Sequence, residues 1–112
     1  MIFNLEKIHP LKREKLLHGL QFVEEFNKNN NNIDKIIVFG SAIRDDCTED
    51  SDIDICFFSK LSIYNIELNT FFGEFPFRCD NVCDIIPFNM IKSSLKDHIL
   101  NNGVVVYEYS KD

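Results

Sequence analysis

Two apolar runs in this chain are broken by residues that do not suit a strand, and the spacing of the breaks constrains the fold. Lys35 to Phe39 is short, apolar and β-branched, as a buried strand would be, and Gly40-Ser41 ends it. After ten intervening residues, Asp52-Ile53-Asp54 opens a second apolar run, Ile53 to Phe58, which also reads as a strand. Aspartate is poorly suited to strands. Side chains alternate across a strand, so Asp52 and Asp54 project from one face. Ile53, Ile55 and Phe57 point from the other, toward covering helices. A third acid, Asp84, stands inside Val82 to Ile86, a third strand ended by Pro87. An unpaired acid in a buried strand is expensive. If the third strand neighbours the second, Asp84 completes a three-carboxylate cluster.

Around these strands the hydrophobic period changes. Residues 10 to 28 predict a helix, because Leu16, Leu17, Leu20, Val23 and Phe26 recur at helical spacing. Pro10 suits its first turn, and the Asn run 29 to 32 stops it. Gly19 is an internal blemish, worth about 1 kcal/mol against alanine. Residues 62 to 72 predict a second helix, followed by a turn at Gly73 and Pro76. Asn89 caps a third helix through about Leu100, with Ile91, Leu95 and Ile99 on one face. Asn101-Asn102-Gly103 stops that helix, and Val104 to Tyr109 forms a last strand. The order α-β-β-α-β-α-β predicts an α/β (α+β) fold, a small mixed sheet with helices packed on one face. With no repeats and no linker, residues 1–112 read as one domain whose core runs from about 10 to 109.

Composition narrows the function. Net charge is −6, with 18 acids against 12 bases, whereas a grip on long nucleic acid needs clustered Lys and Arg. The basic cluster Lys12, Arg13 and Lys15 contains Glu14 and reads as a solvated helix face. A polymerase holding long DNA or RNA is therefore disfavoured. Cys47, Cys56, Cys79 and Cys83 form no Cys-x-x-Cys pair, and His9, His18 and His98 are scattered. The four cysteines read as reduced thiols rather than part of a zinc site. Nothing at the start reads as a signal peptide, and no apolar run approaches the ~20 residues that span a bilayer. The expectation is a soluble, cytoplasmic protein without a membrane role.

Two crowded carboxylates repel, and burial raises their pKa values. A divalent cation removes that conflict, and Mg²⁺ takes carboxylate oxygens while keeping water and substrate phosphates as its other ligands. Three carboxylates can hold two such ions about 3.5–4 Å apart. One would activate an attacking hydroxyl and the other would hold a triphosphate. The plainer alternatives are acids decorating a strand end, or a satisfied structural role for Asp84. Upstream, Gly40 lets the backbone approach a phosphate closely. The Ser41 hydroxyl and the N–H groups after it can donate to phosphate oxygens, and Arg44, one turn on, can add a charge-assisted contact.

Gly40-Ser41, ten residues, then Asp52-Ile53-Asp54 resembles the signature of the DNA polymerase β-type nucleotidyltransferase superfamily, and Arg44 with Asp50-Ser51 strengthens the likeness. The short length, Asp84 and the ending Ile99-Leu100-Asn101-Asn102-Gly103-Val104-Val105-Val106-Tyr107 resemble the minimal nucleotidyltransferases (MNT). These are single-domain proteins of prokaryotes, many of them antitoxins paired with HEPN-domain toxins. The likeness covers roughly residues 10 to 109. It implies the nucleotidyltransferase fold, Mg²⁺, and transfer of a nucleoside monophosphate, usually AMP from ATP, to a hydroxyl with release of pyrophosphate. In MNT antitoxins the acceptor is a tyrosine of the toxin. By the same resemblance Gly40, Ser41 and Arg44 hold the nucleoside triphosphate, Asp52 and Asp54 bind Mg²⁺, and Asp84 is the third carboxylate, aiding deprotonation of the acceptor. The family commonly has glycine after the motif arginine, whereas this chain has Asp45, then Asp46. It also carries Cys47, Thr48 and Glu49 where the family often has smaller or proline-containing turns. Both extra acids have to face solvent for a triphosphate to bind beside them.

Two other functions fit the same residues. One is a toxin-binding module that neutralises by contact alone, for which Phe71, Phe72, Phe75 and Phe77 would supply an apolar patch. The alternative for those rings is to fill the core of a Trp-free fold. The other function is nucleotidyl transfer to a small molecule, where a homodimer could supply the wall that a chain this short lacks.

Overall fold

The computed structural model describes residues 1–30 and 32–109. Helix α1 (Pro10–Asn30), strands β1 (Ile33–Phe39) and β2 (Ile53–Ser59), helix α2 (Ile66–Arg78), strand β3 (Cys83–Pro87), helix α3 (Ser93–Asn102) and strand β4 (Val104–Glu108) follow in the expected order. The four strands form one mixed sheet in the order β3-β2-β1-β4. β1 runs antiparallel to β2 and β4, and β2 runs parallel to β3. A parallel neighbour needs a crossover, which α2 supplies. Strand β4 lies at a sheet edge, but Ile2 bridges to Tyr107 and the Phe3 N–H donates to the Val106 carbonyl, so part of that edge is paired.

Alternation along the strands builds two unequal cores. Ile36 and Val38 of β1, Ile53, Ile55 and Phe57 of β2, and Cys83 of β3 join Leu16, Leu20, Val23, Phe71 and Phe75 in the main core, under α1 and α2. Ile37 and Cys56, from the opposite face, join Ile91 and Ile99 in a smaller core. Helix α3 thus covers part of the second face, and only α1 and α2 share the face on which all the helices were expected. The Phe cluster divides in the same way: Phe71 and Phe75 are buried, Phe72 is half-buried on the main core, and only Phe77 is exposed. Filling the core accounts for three of the four rings.

Helix α1 ends at Asn30, within the Asn run, of which Asn31 lies outside the described residues. Buried Asn27 joins the helix to the sheet. Its amide donates to the Ile33 carbonyl and the Tyr107 hydroxyl, and its oxygen accepts the N–H groups of Asn32 and Ile33. Gly19 is a packing requirement rather than a blemish, because a Cβ there would overlap Cys79 Sγ and press on the Phe75 ring.

Helix α2 starts later and ends later than its sequence pattern predicts. Asn65 caps it by accepting the N–H groups of Glu67 and Leu68. It then runs through Gly73 and Pro76, where a turn was expected. The apolar set Leu68, Phe71 and Phe75 is buried along this helix, and that burial outweighs two residues of poor propensity. Nothing lies within 4 Å of a Cβ built on Gly73. Gly73→Ala is therefore expected to stabilise the protein by about 0.5–1 kcal/mol, read as a higher urea midpoint with unchanged slope.

Asn89 does not cap α3. It lies in the 3-10 turn Phe88–Met90, and the helix begins at Ser93. Phe88 stacks on Phe58 with centroids 4.3 Å apart and Ile91 is buried, so the chain crosses the sheet before it can coil. Asn102 and Gly103 end α3 as expected. Among the described residues no helix is long and apolar enough to cross a membrane.

Candidate functional site

The carboxylates gather on the α3 side of the sheet, at the end of β1 and the start of β2. Asp54 pairs in register with Asp84 across the parallel β2–β3 ladder and with Phe39 across β1–β2. In-register neighbours on parallel strands share a face, with backbones about 4.8 Å apart. Asp52 precedes β2 and is exposed, while Asp54 is half-buried. Asp84 is exposed, not buried as its apolar run suggested, because β3 is an edge strand. Burial first, then the Asp84 and Asp52 carboxylates, push the Asp54 carboxyl above its ordinary value, and Arg44 opposes them. Both neighbouring acids thus act on Asp54 through space.

Gly40 follows Phe39 directly and opens a 3-10 turn, Gly40–Ile43. Its φ of 76° lies in the left-handed region. A Cβ at this position would overlap Asp54 Oδ2 and lie 3.2 Å from Asp54 Cγ. The glycine therefore brings the turn's backbone against the carboxylate of the next strand. Ser41 is half-buried in that turn, and its carbonyl accepts the Arg44 N–H at 2.9 Å. The Arg44 guanidinium pairs with Asp46 at 3.1 Å, and both side chains are exposed. Asp45 is exposed as well. The two acids that depart from the family pattern therefore face solvent.

The loop between the two motifs folds on itself. The Thr48 N–H donates to Ser51 Oγ and the Ser51 N–H to the Thr48 carbonyl, while Cys47 is buried as an apolar anchor. All four cysteines are free and buried. Burial pushes the Cys56 thiol up to about 12. A hydrogen bond to Cys79, together with burial, raises that of Cys83. These are packing residues, not ready nucleophiles.

The basic cluster at the start of α1 is not a solvated face. Lys12 is 1% exposed and its Nζ donates to the Glu49 carbonyl at 3.0 Å. Arg13 donates to the carbonyls of Ile8 and Glu6. Sequence reasoning missed the link between Lys12 and the loop. Its one trace is that Lys12 lies four residues before Leu16, on the apolar stripe of the helix.

Among the described residues no group of three or more His, Cys, Asp or Glu side chains is gathered closely enough to hold a metal ion by itself. The donor set is nevertheless all carboxylate oxygen, with two members in register and one held above its usual pKa by burial and by the two neighbouring acids. That chemistry fits a hard divalent cation that takes part of its shell from the protein and the rest from phosphates and water.

The family model described as polymerase beta, nucleotidyltransferase, matches residues 21–112. No curated protein sequence matches this chain. Among solved structures, the chain is similar to one of a tri-AMPylated Shewanella oneidensis HEPN toxin in complex with MNT antitoxin. There the TM-score is 0.58 at 18% identity, covering 85% of this chain and 73% of the other. A toxin–antitoxin structure with AMP-PNP superposes with a TM-score of 0.62 at 17% identity, covering 82% of this chain and 74% of the other. A putative nucleotidyltransferase from Sulfolobus solfataricus gives 0.52 at 21% identity, covering 88% and 84%. At these identities the likeness establishes the fold.

Proposed function

Because the chain belongs to the polymerase β nucleotidyltransferase family, we propose that it transfers AMP from ATP to a hydroxyl group, and that the hydroxyl is a tyrosine of a HEPN-type toxin for which this protein is the antitoxin. The observation that carries this reading is the in-register pair Asp54 and Asp84 set against the left-handed turn at Gly40. Asp52, Asp54 and Asp84 would hold Mg²⁺, in a one- or two-ion arrangement, together with the phosphates. When bound, the ion would offset the triphosphate charge and acidify the attacking hydroxyl.

The chain's own groups supply the remaining steps. Gly40 and Ser41 would offer backbone N–H groups and a hydroxyl to phosphate oxygens from the turn beside Asp54. Arg44 is free to exchange Asp46 for a phosphate, since an exposed pair of this kind is worth at most about 1 kcal/mol. Asp84, exposed at the sheet edge, accepts the proton of the incoming hydroxyl on a carboxylate oxygen. The hydroxyl oxygen forms a bond to the α-phosphorus. The bond from that phosphorus to the bridging oxygen breaks, and its electron pair leaves with pyrophosphate. The partner half of the proposal is supported by like-folded antitoxins solved with HEPN toxins.

The test is ATP turnover with the candidate toxin present. Mg²⁺-dependent pyrophosphate release is expected, with one AMP mass added to a toxin tyrosine. Asp52→Asn should lower the rate about a hundredfold or more with the circular dichroism spectrum unchanged. Equal turnover in Asp52→Asn would sink the carboxylate assignment. Full toxin neutralisation by the same variant would favour a protein that acts by contact alone.

A further inference from the structure

The start of α1 grips the segment between the two motifs at both ends. The His9 N–H donates to the Ala42 carbonyl at 2.8 Å, inside the turn that opens at Gly40. Lys12, a residue 1% exposed, donates through its ammonium to the Glu49 carbonyl at 3.0 Å, three residues before Asp52. A buried ammonium is costly unless paired. Among the described residues Lys12 makes no salt bridge. The group it meets is a main-chain carbonyl in a loop that carries Asp45, Asp46, Glu49, Asp50 and Asp52. Those acids repel one another, and within the loop the polar ties beside the buried Cys47 anchor are local: the Thr48–Ser51 bonds, the Arg44–Asp46 pair and the Cys47 N–H to the Arg44 carbonyl at 3.4 Å. A packing role alone would be met by leucine or methionine at position 12, since Leu16 and Leu20 continue the same stripe.

We infer that Lys12 is a positioning residue for the carboxylate site. Its ammonium ties the acidic loop to α1, so that Asp52 is delivered beside Asp54 and the turn at Gly40 stays at a fixed distance from both. The inference rests on the nucleotidyltransferase reading for its consequence in catalysis, but the tie itself is a property of the protein without substrate. Lys12→Met keeps the length and apolar stem of the side chain and removes the donor and the charge. Amide exchange over residues 45–52 should then accelerate about tenfold, the equivalent of one lost hydrogen bond to a charged donor. Exchange in β1 and in the second half of α1 should stay at wild-type rates. The Mg²⁺ concentration giving half-maximal turnover should rise about tenfold, with the turnover at saturating Mg²⁺ reduced less.

Exchange that is unchanged over residues 45–52, or that accelerates evenly across the whole protein, overturns the tie. Should Lys12→Met fail to fold, the wild-type protein decides: NMR of its lysine ammonium groups should give a slowly exchanging Lys12 signal correlated with the Glu49 carbonyl, and a freely exchanging Lys12 overturns the tie. A faster-exchanging loop with an unchanged Mg²⁺ requirement would overturn the positioning role. If neither wild type nor variant consumes ATP, the nucleotidyltransferase reading fails, while the exchange result still decides the tie.

Discussion

Asp54→Asn is expected to abolish nucleotide transfer and, at the same time, to make the metal-free protein more stable. Asp54 is the innermost of the three acids and is paired in register with Asp84. Its ionised form is disfavoured by burial and by the Asp84 and Asp52 charges, with Arg44 only partly compensating. Asparagine keeps the shape and removes the charge, so the repulsion disappears. The same charge is what a cation between the strand and the phosphates would require. Losing several kcal/mol of transition-state stabilisation corresponds to about a thousandfold in rate.

The pH dependence has a definite sign. The Asp54 carboxyl holds its proton to higher pH in the folded chain than its ordinary value of 3.8. Its contribution to stability is therefore fullest below that value and is lost as pH rises through the raised folded value. In thermal melts with chelator, wild type should lose stability over that window and Asp54→Asn should not lose this share. Added Mg²⁺ should raise the melting temperature of wild type and leave that of the variant almost unmoved. A variant less stable than wild type in chelator would refute the claim that the acid is retained at the expense of stability.

Gly40→Ala should harm both folding and function. The φ of 76° places alanine in the left-handed region, a strain of about 1–3 kcal/mol. The new methyl would also overlap Asp54 Oδ2, and this contact is not with the free end of a flexible surface chain but with the site itself. Relief requires either the turn or the carboxylate to move. A displacement on the order of 1 Å can cost a hundredfold in rate. A lower urea midpoint together with at least a hundredfold loss of turnover is expected. Gly73→Ala serves as the contrast, since that position is open and helical. If Gly40→Ala kept full turnover in its folded fraction, the close approach of the turn to Asp54 would not matter for activity.

Much of the architecture was legible where one-dimensional signals are strong. The β-branched runs at 35–39 and 53–58 and the helical stripe at Leu16, Leu20 and Val23 all became the elements they suggested. The misreadings occurred where packing overrode local propensity. Gly73 and Pro76 read as a turn, yet α2 continues through them because Phe71 and Phe75 have a core to enter. Asn89 read as a cap, yet Phe88 and Ile91 tie that segment across the sheet first. The basic residues at 12 to 15 read as solvated, yet Lys12 is buried on a loop carbonyl 37 residues away in sequence.

The element order, the alternation that separates Asp52 and Asp54 from Ile53 and Ile55, and the small-residue break at Gly40-Ser41 are written in the chain before it folds. Those properties are local, because period, branching and residue size act within a few positions of the chain. Long-range packing is what sets Asp84 in register with Asp54, leaves no room for a side chain at Gly40 beside Asp54, and lays α3 on part of the second face. The same packing brings Lys12 to the Glu49 carbonyl of the loop. Each of these depends on strand register or on the docking of distant segments. Strand register is set by burying whole faces at once, and no single stretch of residues encodes it.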